Sequence, residues 1–357
     1  MARASVLVGM SGGVDSSVAA CLLAEAGYEV LGSHLELVRS EGGLDHGCCG
    51  PTARADAAAV AAIGGFPFEV VDLRATFEET VLADFVGEHA AGRTPNPCAR
   101  CNEAIKFGAF LRRADDLGID LVATGHYVRA ERGADGALRL LRGPDRGKDQ
   151  SYMLAGLGQA ELARSRFPVG GMAKRETRAH AERLGLPVAA KPDSQEVCFV
   201  ADGDHRAFLR GLAPDLERPG DVVDVDGTVL ARHDGLAGFT VGLRRGLGVS
   251  APTPTYVLEL DASSNRVVVG PGELLARRGL VADRARWVAG RPPADGPFEA
   301  EAQIRYRGDA VPAVVEVTGG EVAVTFRAPQ RGVAPGQSVA FLRGDEVLGS
   351  ARILRSA

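Results

Sequence analysis

The sequence lacks any long hydrophobic run. No stretch approaches the roughly 20 consecutive apolar residues that a membrane-spanning helix requires, although 45% of the 357 residues are hydrophobic. The N-terminal stretch MARASVLVGMSGG has a short apolar run that ends in glycines, with no signal-peptide cleavage site. We therefore expect a cytoplasmic protein with no membrane partner. The sequence also lacks internal repeats and low-complexity tracts.

An excess of positive charge is also missing. The formal net charge of -5 does not by itself indicate nucleic-acid binding. The charge is uneven, however, because seven Lys or Arg residues and only two acids lie between Arg164 and Lys191. A second basic segment runs from Arg93 to Arg113. Local basic faces can hold phosphates whatever the total charge, although a solvated helix face explains either segment taken alone.

Cysteines are few, and structural disulfides are not expected in a reducing compartment. Clustered cysteines in such a protein favour metal binding or catalysis. Cys21 falls in the first predicted helix and is expected in the core. Cys48 and Cys49 are adjacent in a Gly-rich loop, and we interpret them as incidental or as accessory sulfur-handling residues. The six cysteines are Cys21, Cys48, Cys49, Cys98, Cys101 and Cys198.

Apolar β-type runs alternate with helical patterns from Ser5 to about Leu212. This alternation predicts an α/β domain with a parallel sheet flanked by helices. Ligands of such sheets bind at the carboxyl ends of the strands. We therefore expect the loops after Gly9, after Leu35 and at Gly125 to share one crevice.

From Pro219 onward the pattern changes to many short β-type runs separated by Gly, Pro and Asp. This pattern is typical of small antiparallel barrels or sandwiches. A break near Arg277–Val281 divides the β-rich half into two modules. We expect three domains: an α/β domain over residues 1–212, a central β-rich domain over 213–280 and a C-terminal antiparallel β-barrel over 281–357.

The Gly-rich segment Gly9–Ser17, GMSGGVDSS, follows the first predicted strand and opens a helix. Glycines let the backbone approach a ligand closely, and N–H groups at a helix N-terminus attract anions. The hydroxyls of Ser11, Ser16 and Ser17 can donate hydrogen bonds to phosphate oxygens. Asp15 either caps the helix or helps to hold Mg²⁺ beside a pyrophosphate.

This loop is neither a Walker loop nor a dinucleotide-binding G-x-G-x-x-G. Its S-G-G-x-D-S pattern matches the PP-loop of enzymes that split ATP between the α and β phosphates. An ordinary glycine turn with a Ser/Asp cap is the alternative, and the flanking strand and helix disfavour it. We expect ATP and Mg²⁺ as cofactors.

Two further segments carry cysteines. The first, GRTPNPCARCNEAIKF, has prolines that stiffen a loop ahead of a helix predicted over Asn102–Leu117. Cys101 is expected at the start of that helix, where the dipole favours a thiolate, and Arg100 and Lys106 would lower its pKa further. The second, DSQEVCF, contains Cys198, which on its own would be interpreted as a small buried hydrophobe.

Together these motifs resemble the tRNA-specific 2-thiouridylase family. The resemblance covers nearly the full chain, through GMSGGVDSSVAA, GRTPNPCARCNEAIKF, ATGHYVR, KDQSYML, FPVG, DSQEVCF, GLRRGLG, RYRG and PGQS. It implies an enzyme that adenylates the C2 oxygen of the wobble uridine in tRNAs for Lys, Glu and Gln. Sulfur transfer would then give 2-thiouridine, AMP and pyrophosphate.

The resemblance implies catalytic roles for Asp15, Cys101 and Cys198. In a persulfide route, sulfur arrives on Cys198, and Cys101, conventionally the nucleophile, forms a disulfide with Cys198 as sulfur is handed over. A cysteine desulfurase or sulfur-carrier protein would supply the sulfur. A second route remains equally open, because Cys98 stands where many members have Asp. Cys98, Cys101 and Cys198 could then hold a 4Fe-4S cluster.

The resemblance also implies the ligand contacts. The target base has to be flipped out to expose its C2 oxygen, Arg and Lys would bind phosphates, and Tyr or His can stack on an unpaired base. The implied ATP-binding residues are Gly9, Met10, Ser11, Gly12, Gly13, Val14, Asp15, Ser16, Leu35 and Gly125. The implied tRNA-binding residues are Asn96, Pro97, Cys98, His126, Lys148, Asp149, Gln150, Arg305, Tyr306 and Gln337.

Two other functions compete with this interpretation. Another PP-loop ligase, such as a lysidine, asparagine or guanylate synthetase, needs no paired cysteines and would keep its activity after Cys101→Ala or Cys198→Ala. A non-catalytic tRNA-binding or iron–sulfur carrier protein would show no ATP/pyrophosphate exchange.

Overall fold

The computed structural model describes residues 4–38, 50–193, 197–200, 204–250 and 253–357. Cys48, Cys49 and part of the DSQEVCF segment lie outside these residues, whereas Cys198 lies within them. None of the helices in these ranges is long and apolar enough to cross a membrane.

The N-terminal part contains a five-stranded parallel sheet in the order β3-β2-β1-β4-β7. Its central strand β1 is apolar and fully buried from Val6 to Val8, as a strand covered on both faces requires. Two further strands of this part, β5 and β6, lie outside the parallel sheet. The seven strands are β1 (Ser5–Gly9), β2 (Glu29–Glu36), β3 (Phe68–Asp72), β4 (Leu121–Ala123), β5 (Val128–Arg132), β6 (Leu138–Arg142) and β7 (Ser165–Arg166).

Helices pack on both faces of this sheet. One face carries α1 and α2 over a core that includes Val8 and Val18, and the other carries α6 over a core that includes Leu7 and Phe110. The helices are α1 (Val14–Glu25), α2 (Pro51–Gly64), α3 (Arg74–Phe77), α4 (Ala83–Ala90), α5 (Pro97–Cys101), α6 (Phe110–Asp116), α7 (Ser151–Leu154), α8 (Gln159–Ala163), α9 (Lys174–Arg183) and α10 (His205–Leu212).

Two long helices differ from their predicted form. π-helical turns at Glu78–Leu82 and Asn102–Ala109 join α3 to α4 and α5 to α6. The second of these helices begins at Pro97, not at Asn102 as the sequence indicated, because Asn96 caps it. Cys101 therefore lies one turn inside the helix.

The order of the strands reverses around β1, since β2 lies on one side of it and β4 on the other. The carboxyl ends of β1 and β4 flank such a switch point, where α/β sheets bind their ligands. The predicted parallel sheet flanked by helices is confirmed.

The central module is a four-stranded sheet in the order β10-β11-β8-β9, in which only the β8–β11 pairing is parallel. Its core includes Val222, Val257 and Val267. Its strands are β8 (Gly220–Val223), β9 (Val229–His233), β10 (Thr255–Asp261) and β11 (Arg266–Pro271), with 3₁₀ turns at Pro214–Leu216 and Leu236–Gly238.

The C-terminal module is a six-stranded antiparallel barrel, closed because β12 pairs with both β15 and β17. Its strands are β12 (Ala276–Trp287), β13 (Phe298–Gln303), β14 (Val311–Thr318), β15 (Glu321–Arg331), β16 (Ser338–Arg343) and β17 (Glu346–Ser356). Residues 277–281, where the sequence predicted a break, lie inside β12, and the 3₁₀ turn Gly272–Leu275 precedes that strand.

One hairpin was not predicted from the sequence. Strands β5 and β6 leave the N-terminal sheet and extend the barrel, because Leu140 and Leu141 of β6 pair with Val347 and Glu346 of β17. The barrel is thereby joined directly to the N-terminal domain.

Candidate active site

The Gly-rich loop holds its turn through its own side chains. Gly12 adopts φ +66°, and a Cβ there would lie 2.2 Å from the carbonyl oxygen of Ala53 on α2, so only glycine fits. The Ser16 hydroxyl oxygen accepts a hydrogen bond from Ser11 N at 3.1 Å and donates to Gly13 O at 3.2 Å. The loop's own side chains and backbone therefore hold its shape.

Asp15 does not cap helix α1. The N-cap is Gly13, without a side-chain hydrogen bond. The Asp15 carboxylate instead accepts hydrogen bonds from Lys174 Nζ at 2.7 and 2.8 Å and from Tyr127 OH at 2.7 Å. The capping alternative is wrong, because the side chain turns away from the helix end toward the buried Lys174 on α9.

Sequence reasoning missed Lys174, although it lies in the basic segment noted above. Its Nζ also lies 2.7 Å from Asp193 Oδ1, and Lys148 Nζ donates to Asp193 Oδ2 at 2.6 Å. Arg178 contacts the same carboxylate at 3.3 Å. Burial raises the pKa of Asp193, but the hydrogen bonds from Lys148 and Lys174 outweigh it and hold that pKa well below its ordinary value.

A second lysine reaches the loop from outside the motif. Lys191 Nζ donates to Gly12 O at 3.0 Å and to Asp56 on α2 at 2.6 Å. The loop itself contains no Lys or Arg. Lys174 and Lys191 therefore bring positive charge to the loop, at Asp15 and at Gly12.

The loops after β1 and β4 meet at the carboxyl edge of the sheet. A Cβ on Gly125, just after β4, would lie 2.5 Å from Ser16 N, so this loop abuts the first turn of α1. His34 of β2 ties the next strand to the loop, since its Nδ1 hydrogen bonds to Met10 O at 3.0 Å. Leu35 packs both on the core of the sheet and on the cysteine cluster described next.

Cys101 and Cys198 belong to one apolar cluster. Cys101 is buried beside Phe77 and Phe199, and Cys198 packs on the same group. Cys98 interacts electrostatically with both thiols. No disulfide joins the cysteines in the described part of the chain. The structure thus brings together the three thiols that the sequence singled out.

The expected low pKa of Cys101 is wrong. Burial raises the pKa of Cys101 to about 12 and that of Cys98 to about 11, and Lys106 opposes this shift without overcoming it. Arg100, expected to help, pairs with Glu103 instead. Cys101 is protonated in this arrangement because it lies inside the helix among apolar side chains.

The thiols do not form a metal site as they stand. Among the described residues, which include Cys98, Cys101 and Cys198, no three His, Cys, Asp or Glu side chains are grouped to hold a metal ion. Cluster ligands are thiolates, and a bound iron ion would itself displace the thiol protons. The described residues therefore show no arranged ligand set for a 4Fe-4S cluster.

His126 lies between the crevice and the cysteine helix. Its Nδ1 is 2.8 Å from Thr124 Oγ1, and its ring centroid is 6.1 Å from that of Phe107. Burial, assisted by the positive charge of Lys106, holds its pKa well below the ordinary value. The ring is therefore neutral near pH 7, suited to stacking or hydrogen bonding and not to binding phosphate as a cation.

The barrel holds the start of the cysteine helix. Asn96 Oδ1 accepts a hydrogen bond from Ala99 N at 3.1 Å, and its Nδ2 donates to Ser338 Oγ at 3.2 Å. Gln337 Nε2 donates to Thr94 O at 3.1 Å and to Pro95 O at 2.9 Å. Pro97 is buried at the first helical turn. The barrel residues Gln337 and Ser338 are thus tied to the loop that precedes the cysteine helix.

The other predicted tRNA residues differ in their surroundings. Asp149 accepts hydrogen bonds from Ser151 and from Arg142, and Gln150 Oε1 accepts one from Tyr127 N at 3.0 Å, so both side chains are used within the fold. Arg305 is exposed, and the partly exposed Tyr306 has its ring centroid 6.3 Å from that of Tyr152.

The fold and the loop define a nucleotide-binding α/β domain followed by two small β-domains, and family models match all three parts. Residues 4–202 match the tRNA methyl transferase HUP domain. Residues 206–271 match the tRNA methyl transferase PRC-barrel domain, and residues 277–353 match the aminomethyltransferase beta-barrel domain.

Relatives extend the match to the full length. The tRNA-specific 2-thiouridylase MnmA of Geobacter metallireducens is 49% identical over 355 residues, which cover 98% of this chain and 96% of the relative. That of Acidothermus cellulolyticus is 50% identical over 361 residues, which cover 98% of both chains. The chain therefore belongs to the tRNA-specific 2-thiouridylase family, which confirms the resemblance.

Solved structures give only a distant likeness. A 4-thiouridine synthetase–RNA complex with bound ATP has 16% identity and a TM-score of 0.36, covering 59% of this chain and 51% of that one. A likeness this weak carries no argument.

Proposed function

We propose that this protein is an ATP-dependent tRNA sulfurtransferase that replaces the C2 oxygen of the wobble uridine with sulfur in tRNAs for Lys, Glu and Gln. The proposal rests on one observation, namely that the PP-loop and the cluster of Cys101 and Cys198 lie at the same edge of the sheet. The PP-loop follows β1, and the neighbouring β2 leads to Leu35 and Leu37, which pack on the cluster of Cys101 and Cys198.

The first step is adenylation. The C2 oxygen of the uridine attacks the α phosphate of ATP, the bond between the α phosphate and the bridging oxygen breaks, and pyrophosphate leaves. The loop N–H groups and Lys174 and Lys191 would stabilise the negative charge that develops. Mg²⁺ would arrive on the phosphate oxygens. Asp15 is its candidate protein ligand and would have to exchange its bonds with Lys174 for the metal.

The second step is sulfur transfer. The terminal sulfur of a persulfide on Cys198 attacks C2, and the bond to the adenylate oxygen breaks to release AMP. The Cys101 thiol gives up its proton and attacks the Sγ of Cys198. This attack breaks the sulfur–sulfur bond, leaves sulfur on the base and forms a Cys101–Cys198 disulfide. A reductant then supplies two electrons to restore both thiols.

We propose the persulfide route over the 4Fe-4S route. Support comes from the described thiols, since Cys98, Cys101 and Cys198 are neighbours but not a metal-ligand set. Iron and acid-labile sulfide analysis of anaerobically purified protein tests this choice. Full thiolation by iron-free protein with a persulfide donor is expected, whereas activity that tracks iron content would reinstate the cluster.

The proposed substrates and partners follow from this chemistry. A cysteine desulfurase or a sulfur-carrier protein would load Cys198, and tRNA would bind across the N-terminal domain and the barrel. A cytoplasmic location, where tRNA is available, is part of the same proposal. The domain limits 1–212, 213–280 and 281–357 also stay predictions.

The decisive assay measures 2-thiouridine in tRNA by mass spectrometry beside tRNA-dependent AMP release. We expect both products from the wild type, and loss of 2-thiouridine in Cys101→Ala and Cys198→Ala. A rival PP-loop ligase would retain its reaction in both variants. A non-catalytic tRNA-binding protein would release no AMP.

A further inference from the structure

The pyrophosphate leaving group needs cations that the PP-loop motif does not contain. Pyrophosphate carries several negative charges, and the segment Gly9–Ser17 has no basic residue. Lys174 meets the loop at Asp15, and Lys191 meets it at the carbonyl of Gly12. Both lysines are partly or fully buried, so their positions are set by the fold and not by solvent.

The Asp193 carboxylate forms ion pairs with part of the positive charge near the loop. Its Oδ1 contacts Lys174 at 2.7 Å and Arg178 at 3.3 Å, and its Oδ2 contacts Lys148 at 2.6 Å. Lys148 lies in a loop and Lys174 on helix α9, and the Asp193 carboxylate brings these two positive charges close together. Its side chain is only 21% exposed, so water screens these pairs weakly.

A carboxylate and a phosphate bind lysine through the same charge-assisted N–H···O contacts. Two anions that need the same donors compete for them. When pyrophosphate takes Lys148 or Lys174, the contacts to Asp193 have to lengthen or break. When pyrophosphate leaves, Asp193 again neutralises part of this positive charge, beside the pair that Lys174 keeps with Asp15.

We propose that Asp193 is a positioning residue that holds Lys148 and Lys174 in the nucleotide-free enzyme and competes with pyrophosphate for them, so that pyrophosphate is released after adenylation. This inference rests on the proposed function. It gives Lys148 a role in binding the leaving group, in addition to its predicted contact with tRNA.

The test is direct binding of inorganic pyrophosphate, with Mg²⁺, to the full-length protein by titration calorimetry. Asp193→Asn keeps the size of the side chain and removes the competing charge, and it should bind pyrophosphate about tenfold more tightly, as the loss of one charged hydrogen-bond partner implies. Lys174→Met should bind it about tenfold more weakly. Arg175→Met, the next residue of α9 and exposed, is the matched control and should equal the wild type.

Asp193→Asn is expected to raise the pyrophosphate affinity and Lys174→Met to lower it. A merely structural role for Asp193 would instead weaken pyrophosphate binding or leave it unchanged. Equal or weaker pyrophosphate binding by a folded Asp193→Asn protein would overturn the proposal. If that variant does not fold, Lys148→Met decides, since it should weaken pyrophosphate binding and an unchanged affinity would contradict the proposal. Failure of the proposed function would appear separately, as absence of 2-thiouridine with the wild-type protein.

Discussion

Gln337 of the barrel donates a hydrogen bond to the carbonyl of Pro95 at 2.9 Å, and this contact joins the C-terminal domain to the loop that opens the cysteine helix. A second bond from the same amide reaches Thr94 O at 3.1 Å. Asn96, the cap of that helix, is held by Ser338 of the same strand end. The barrel thus positions the helix that carries Cys98 and Cys101.

Replacement of Gln337 by Ala should therefore impair catalysis and not only tRNA binding. Loss of its two hydrogen bonds removes about 1–3 kcal/mol of stability and leaves two carbonyls without this donor. We expect a lower kcat for thiolation and a lower melting temperature. Arg305→Ala, at an exposed barrel position, is the matched control and should raise the KM for tRNA while the melting temperature stays the same. A Gln337→Ala enzyme that changes only the KM would show that the link is not catalytic.

Gly125→Ala should weaken nucleotide binding. A Cβ there would lie 2.5 Å from Ser16 N and 2.6 Å from the Asp15 carbonyl carbon. The backbone at Gly125 and that of the PP-loop would therefore have to move apart. We expect at least a tenfold loss of ATP affinity, on the order of 1.4 kcal/mol or more, measured by calorimetry with ATP. Gly171→Ala, where nothing lies within 4 Å of the added Cβ, is the control. Equal ATP affinity of the two variants would refute the close approach.

The buried thiol at position 101 predicts a loss of stability at alkaline pH. Its pKa rises from 9.0 to about 12 on burial, so the fold favours the protonated form. This contribution is fully present below pH 9 and is lost as pH rises toward 12, because the unfolded chain releases its proton first. Denaturant unfolding across this range should show the decline, and Cys101→Ser should reduce it. An identical slope for both proteins would mean that Cys101 is not buried in solution.

Much of the fold was predictable because its signals are local. The buried run of β1, the glycines of the loop and the alternation of strands and helices all lie within short windows of sequence. The start of the cysteine helix was misplaced because the capping side chain, Asn96, was assigned to the loop. With the helix starting five residues earlier, Cys101 moves from the helix start to a buried turn, and the expected direction of its pKa shift reverses.

The rest of the site depends on long-range contacts. Lys174 meets Asp15 across 159 residues of sequence, and a basic residue in a helical pattern does not reveal its partner. Hairpin strand β6 finds its neighbour β17 at the far end of the chain, so its place in the barrel has no local signal. Asp193 is the first residue of the recognised motif DSQEVCF, yet its three cationic contacts appear only in the folded structure.

The account depends most on Cys101 and Cys198 reacting with each other during sulfur transfer. The direct measurement is peptide mapping by mass spectrometry after turnover with ATP, tRNA and a persulfide donor, without a reductant. We predict one Cys101–Cys198 disulfide for each 2-thiouridine formed. Stoichiometric 2-thiouridine with both cysteines still reduced would contradict the account.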